Sequence, residues 1–322
     1  MSDERFVPSG FPAGDGWPAA PEPSEYVLTD ADSERIFRER IVPDRVVGTP
    51  QDRPVAVFVA GQPGDGKASI TAMVRNVLAR RGRPVVLSAL AFEAYHPRLA
   101  QPITEVPPTT DRSVEIDGLR WLARAEELVI QQRYDAICET ELVDPSAFVA
   151  SARALKAAGY QVEVALLAVH EAVSRLGVLQ RHLRALEAFG YGRLVSPSRH
   201  DAGYDGVLQA AALIDEGTWA DRVGVLRPDG QLIYGNQRDT DWQQPPRTPE
   251  AITWERERAW TVAESRDFLD AASTIERFGL TAPYQWIRDE SVEGAHTATT
   301  LAKPRLDPLA VTLHIAKAGT AF

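Results

Sequence analysis

Six uninterrupted apolar residues, Val55 to Ala60, run directly into Gly61-Gln62-Pro63-Gly64-Asp65-Gly66-Lys67-Ala68, after which apolar residues return at helical spacing to about Arg80. A buried strand that delivers a glycine-rich turn to a helix N-terminus constrains everything after it, because a strand followed by a helix continues most simply as a right-handed parallel crossover. Further short apolar runs at Val85 to Ser88, Asp135 to Cys138, Val162 to Val169 and Arg222 to Leu226 predict more strands. Between them, amphipathic stretches predict helices over Lys67 to Arg80, Val114 to Gln132, Ala147 to Ala158, His170 to Ala188 and Tyr204 to Ile214, with Gly159 as a helix stop. The expected fold class is α/β, a doubly wound parallel sheet.

The loop spacing is G-x-x-x-x-G-K, the P-loop pattern, and its physics is specific. Glycines let successive backbone N–H groups point into one concavity, the helix N-terminus adds partial positive charge, and Lys67 places an ammonium where outer phosphates lie. A nucleotide triphosphate with Mg²⁺ is the expected occupant, held by Gly61, Gln62, Pro63, Gly64, Asp65, Gly66, Lys67, Ala68 and Ser69. The alternative is a plain glycine-rich turn, which the strand–loop–helix context disfavours. The position after the lysine usually carries a magnesium-ligating hydroxyl and here is Ala68, with Ser69 one residue late. The fold expectation is therefore a P-loop NTPase-like sheet with helical N- and C-terminal extensions.

At the N-terminus, Met1 to about Ser24 is rich in Pro and Gly and reads as a mobile tail, so the expected units are 1–27 as tail, 28–245 as P-loop domain and 246–322 as a mainly helical appendage. Thr29 to Val42 predicts one leading amphipathic helix closed by Pro43. The turn Arg227-Pro228-Asp229-Gly230 precedes a last strand, Gln231 to Tyr234, and Pro245-Pro246 precedes a helical pattern over Glu250 to Phe278 anchored by Trp254, Trp260 and Phe268.

Composition excludes some partners. Thirty-five basic against 45 acidic residues give a net charge of -10, which repels a phosphate backbone, so nucleic acid is not expected. Cys138 is the only cysteine, which leaves no intramolecular disulfide and fits a cytoplasmic setting. No apolar segment has the length of a bilayer span or the pattern of a signal peptide, so no membrane association is expected.

The ordered stretches VAVFVAGQPGDGKAS, FEAYHPRL, ICETELVDPSAF, LKAAGYQVEVALLAV, SRLGVLQRHL, YGRLVSPSRHDAGY and DGQLIYGN resemble the zeta toxin family, over roughly Arg35 to Asn236. That resemblance implies an ATP-dependent kinase that phosphorylates the sugar 3'-hydroxyl of UDP-N-acetylglucosamine, with a small antitoxin protein as partner. It assigns Lys67 to ATP, Arg181 and Arg193 to the transferred phosphoryl group, and Glu139 to magnesium-bound water or substrate. Guanidinium forks suit the task of Arg181 and Arg193 because they neutralise charge spread over phosphoryl oxygens. The family's base, an Asp six residues before the His-Pro histidine, falls on Leu90, and the next family carboxylate falls on Ala91. Ser88 and Glu93 are the nearest polar neighbours.

Glu141 stands where the family usually has a threonine, and is either a relocated base or a plain loop residue before a helix capped by Asp144 or Ser146. His96-Pro97 reads as a structural turn, and His200-Asp201 as the lead into a helix. Four readings stay open: an active sugar-nucleotide kinase, a nucleotide-binding pseudokinase, an engineered knockout, and a small-molecule kinase with its base moved to Glu93, Glu139 or Glu141. The run Asn236-Gln237-Arg238-Asp239 lacks the lysine of a guanine-reading motif and is set aside.

Overall fold

The computed structural model describes residues 27–100, 112–189, 194–282 and 284–319. The N-terminal tail expected from composition lies outside them. Thr29 caps α1 (Asp30–Ile36), which passes through a π-helical turn at Phe37–Ile41 into α2 (Val42–Arg45). Pro43 therefore does not close the run. The helical backbone continues through it to Arg45, with the π-helical turn lying just before the residue that cannot donate an N–H.

Six strands follow: β1 (Val55–Ala60), β2 (Val85–Leu87), β3 (Ala136–Thr140), β4 (Gln161–Leu167), β5 (Arg222–Leu226) and β6 (Leu232–Gln237). They form one sheet in the order β2-β3-β1-β4-β5-β6, parallel except for β6, which returns antiparallel to β5 through the turn at Arg227 to Gly230. A five-residue connection leaves no length for a crossover, so the last strand must reverse. β1 is central and buried along its whole length. Ala56, Phe58 and Ala60 face one core cluster, while Val55, Val57 and Val59 face another.

The helices fill both faces. α3 (Lys67–Leu78) contributes Ile70 and Leu78 to the second cluster. On the other face, α5 (Arg112–Gln132) places Trp121 and Val129, α6 (Pro145–Ala157) Phe148 and Ala152, and α8 (Pro197–Glu216) Val207 and Ile214. Before α5, β2 feeds a short α4 (Ala89–Glu93) and a 3-10 turn at Pro97–Ala100. His96 is buried there with its Nε2 3.3 Å from Asp117 Oδ2. Asp144 caps α6 by accepting from the backbone of Ser146 and Ala147, and Gly159 ends that helix region at φ +83°. Helix α8 starts at Pro197 under a Ser196 cap, seven residues before Tyr204, so His200 and Asp201 lie inside it rather than ahead of it.

The C-terminal pattern divides. Glu250 to Phe278 is two helices, α9 (Thr248–Glu257) and α10 (Val262–Thr281), and Trp254 is 60% exposed rather than an anchor. The break was legible in Thr261-x-x-Glu264, which forms a capping box. After α11 (Gln285–Ala302) and α12 (Pro308–Gly319) the described chain ends. Helix α7 (Glu171–Phe189) supplies Leu176, Leu179 and Leu183 to a third core cluster shared with Phe268, Ile275, Ile287 and Ala298.

Candidate functional site

Parallel β1, β3 and β4 deliver their C-terminal ends to one edge. Ala60 lies opposite Thr140, and Gly61 N donates to Thr140 O at 3.2 Å, which puts the glycine-rich loop beside Glu139 and Glu141. Gly64 and Gly66 hold φ of +82° and +89°, which a residue with a Cβ rarely adopts. Gly64 also lies against α7: a Cβ on it would fall 2.0 Å from Ser174 O, and one on Gly177 would fall 2.1 Å from Gly64 O. The loop is thus seated on α7 backbone to backbone.

Lys67 Nζ donates to Gly61 O at 2.7 Å, Gln62 O at 2.9 Å and Asp65 Oδ1 at 3.0 Å. Asp65 Oδ1 also accepts from Lys67 N at 3.0 Å. Gly61 and Pro63 are buried. Gln62 is turned away from the cleft, donating to Val169 O at 2.8 Å and approaching Ser174 Oγ at 3.3 Å. Ala68 lines the cleft and offers no side-chain oxygen, and Ser69 is exposed and outside the lining.

In front of the loop opens a cleft of about 1050 Å³. Leu90 and Glu93, one turn apart on α4, both line it, so the position expected to hold the family base presents a leucine to the cavity. Glu139 Oε1 accepts from Thr71 Oγ1 at 2.5 Å. Glu141 accepts from Arg199 Nε at 3.0 Å, and Arg199 also pairs with Glu115 across the cleft wall. That pairing with two carboxylates outweighs the burial of Arg199 and raises its pKa. Deeper in the wall, Glu126 accepts from Ser151 Oγ at 2.8 Å, and burial pushes its carboxyl up.

Arg181, on α7, lines the same cleft with its Nη2 buried and without a hydrogen-bond partner among the described residues. Arg193 lies outside the described residues. Lys67, Arg181, Glu139 and Glu141 are therefore brought to one cavity. Sequence reasoning missed Arg199, Arg184 and Glu115, which share it. Arg199 stood inside the quoted stretch YGRLVSPSRHDAGY, but only the fold shows that the first turn of α8 aims it back at β3.

The C-terminal helices reach the loop from behind. Arg256 of α9 is 4% exposed, donates to Gln62 Oε1 at 3.1 Å and Tyr204 O at 3.1 Å, and stacks on the Tyr204 ring at 3.7 Å. A second cavity, of about 350 Å³, is lined by Val169, His170, Pro228, Trp260 and Phe268, with Gln180 common to both cavities. Burial pulls His170 down to about 4, so its imidazole is neutral at physiological pH.

Among the described residues no group of three or more His, Cys, Asp or Glu side chains is arranged to hold a metal ion, and no helix is long and apolar enough to cross a membrane. No curated protein matches the chain in sequence at a significant level. Among solved structures, one of the PezAT chromosomal toxin–antitoxin system of the human pathogen Streptococcus pneumoniae aligns with a TM-score of 0.65 at 16% identity, covering 80% of this chain and 100% of that one. Structures of AvrRxo1-ORF1 with AvrRxo1-ORF2, one with sulphate ions and one with ATP, align at a TM-score of 0.48 with 16% and 14% identity, each covering 88% of this chain and 85% of that one. The zeta toxin family model matches residues 40–239, which span the sheet, the glycine-rich loop and the cleft; the chain belongs to the zeta toxin family.

Proposed function

We propose that this chain binds ATP on the Gly61–Lys67 loop and is built as a phosphotransferase, with the sugar 3'-hydroxyl of UDP-N-acetylglucosamine as the acceptor to which the family points. The observation that carries the reading is the meeting of Lys67 and Arg181, with its unpartnered buried Nη2, at one large cleft. Such a pair of cations suits a transferring phosphoryl group. The smaller cavity, with Trp260, Phe268 and neutral His170 on its walls, suits a purine base. Magnesium, when bound, supplies charge neutralisation on the phosphates. With no oxygen on Ala68, Glu139 is the carboxylate assigned to its water shell.

A specific observation favours a second reading, a nucleotide-binding pseudokinase. Leu90 lines the cleft where a base is needed, while Glu139 is engaged by Thr71 and Glu141 by Arg199. Loss of a positioned base lowers rates by about 10²–10⁴-fold, so slow transfer is compatible with the first reading and fast turnover is not. By analogy with the system named for the S. pneumoniae structure, a small antitoxin protein is the proposed partner. A cytoplasmic setting is proposed from the single, buried Cys138.

The test is ATP calorimetry with and without magnesium on this chain and on Lys67→Ala, followed by phosphate transfer to UDP-N-acetylglucosamine. Binding that Lys67→Ala abolishes, with phosphorylated sugar at measurable turnover, supports the kinase. Binding without transfer supports the pseudokinase. No binding in any form sinks the nucleotide reading.

A further inference from the structure

The phosphate-binding loop carries its own anion. Asp65 is 3% exposed, and its side chain is folded into the concavity against Gly61: a Cβ on Gly61 would fall 2.0 Å from Asp65 Oδ2. Its Oδ1 takes the two donors that loops of this spacing offer to a phosphate oxygen, the lysine backbone N–H and the lysine ammonium, each at 3.0 Å. An ammonium has three protons, and the other two are spent on Gly61 O and Gln62 O. Lys67 therefore has no donor left for a ligand.

A purely structural account makes Asp65 a cap for α3, since Gly66 has no side chain to offer the first turn. That accounts for the bond to Lys67 N. It does not account for the bond to the ammonium, or for Oδ2, which is buried with no hydrogen-bond partner among the described residues. A buried carboxylate oxygen without a donor is expensive, and burial indeed pushes this carboxyl up against the downward pull of Lys67. Glu141 adds like charge from the β3 side, while Arg256 faces the carboxylate from α9.

We infer that Asp65 is an internal phosphate surrogate, a carboxylate that occupies the seat of a nucleotide phosphate and keeps Lys67 engaged until a polyphosphate displaces it. This inference rests on the nucleotide reading for its ligand, but not for the clasp itself. A polyphosphate entering the loop meets a like charge in the seat it needs, so the side chain must leave the concavity before Lys67 is released. Affinity for nucleotide is then set by Asp65 rather than by Lys67 alone.

The test uses the full chain with Asp65→Ala and Asp65→Asn, the second keeping an acceptor for Lys67 N so that capping survives. Inorganic tripolyphosphate and ATP are titrated calorimetrically. The rate at which an amine-reactive reagent modifies Lys67 is read by peptide mass spectrometry. Both variants are expected to bind tripolyphosphate roughly tenfold tighter or more, as removal of a contacting like charge requires, and to label faster at Lys67. Faster labelling with no polyphosphate binding in any form supports the clasp and sinks the nucleotide reading. Unchanged labelling, or equal polyphosphate affinity in all three chains, overturns the clasp, and in the latter case leaves nucleotide binding standing.

Discussion

On the proposed kinase reading, Leu90 is the residue that sets the rate of transfer. It lines the cleft one helical turn from Glu93, so a carboxylate placed there projects into the same cavity. Leu90→Asp is expected to raise the rate of transfer to UDP-N-acetylglucosamine by about 10²-fold, the lower end of what a positioned base supplies, while Leu90→Ala leaves it unchanged. A coupled assay of ADP release with the sugar present checks this. No gain in Leu90→Asp, in a chain that still binds ATP, means that Ala68 or Asp65 is the limiting defect. Glu141 illustrates how a residue's role depends on its partners: its ion pair with Arg199, itself bridged to Glu115, makes it a brace of the cleft wall.

Among the elements, α7 has the most duties, because it seats the glycine-rich loop, lines both cavities and packs the C-terminal helices. Its contact with the loop leaves no space at Gly177, whose substituent would meet Gly64 O. Gly177→Ala is expected to destabilise the chain by about 1–3 kcal/mol and to weaken ATP binding, measured by thermal melting and calorimetry. Weaker melting with unchanged affinity would show that the loop does not depend on α7 for its shape. At the start of α10, Glu264 accepts from Arg258 Nη1 at 2.9 Å and from Thr261 N at 2.8 Å, and these bonds pull it from 4.5 to about 2. A lowered carboxylate stabilises the fold above its unfolded pKa, and that contribution is lost as pH falls from about 4.5 toward 2. In Glu264→Gln the melting temperature should drop at neutral pH and lose this part of its acid dependence. An unaltered acid profile would place the titration elsewhere.

At the scale of the whole molecule, the C-terminal helices and the kinase-like body share a core. Leu176, Leu179 and Leu183 of α7 pack with Phe268, Ile275 and Ile287, and Arg256 ties α9 to Gln62 across 194 residues of chain. A chain ending at residue 245 would expose that face of α7 and leave Gln62 Oε1 without its donor. We expect it to aggregate or to melt well below the full chain, as light scattering and calorimetry would show. A truncated chain that stays monomeric and binds ATP with full affinity would make 246–322 a separable appendage after all.

By itself the sequence determined the sheet, the loop and the family. Periodicity and the G-x-x-x-x-G-K spacing act between near neighbours in the chain, and β1 and β5 have the bounds their apolar runs predict. Ala68 and Leu90 were equally legible as departures from the pattern, since they depend only on position. The tertiary structure alone decided where Asp65 turns, that Arg199 pairs with Glu141 and Glu115, and that Arg256 reaches the loop. Side-chain direction and ion pairing are set by which distant surfaces exclude water from one another, and no local spacing encodes that. Trp254 followed this rule too: its type suggested an anchor, and the fold leaves it 60% exposed.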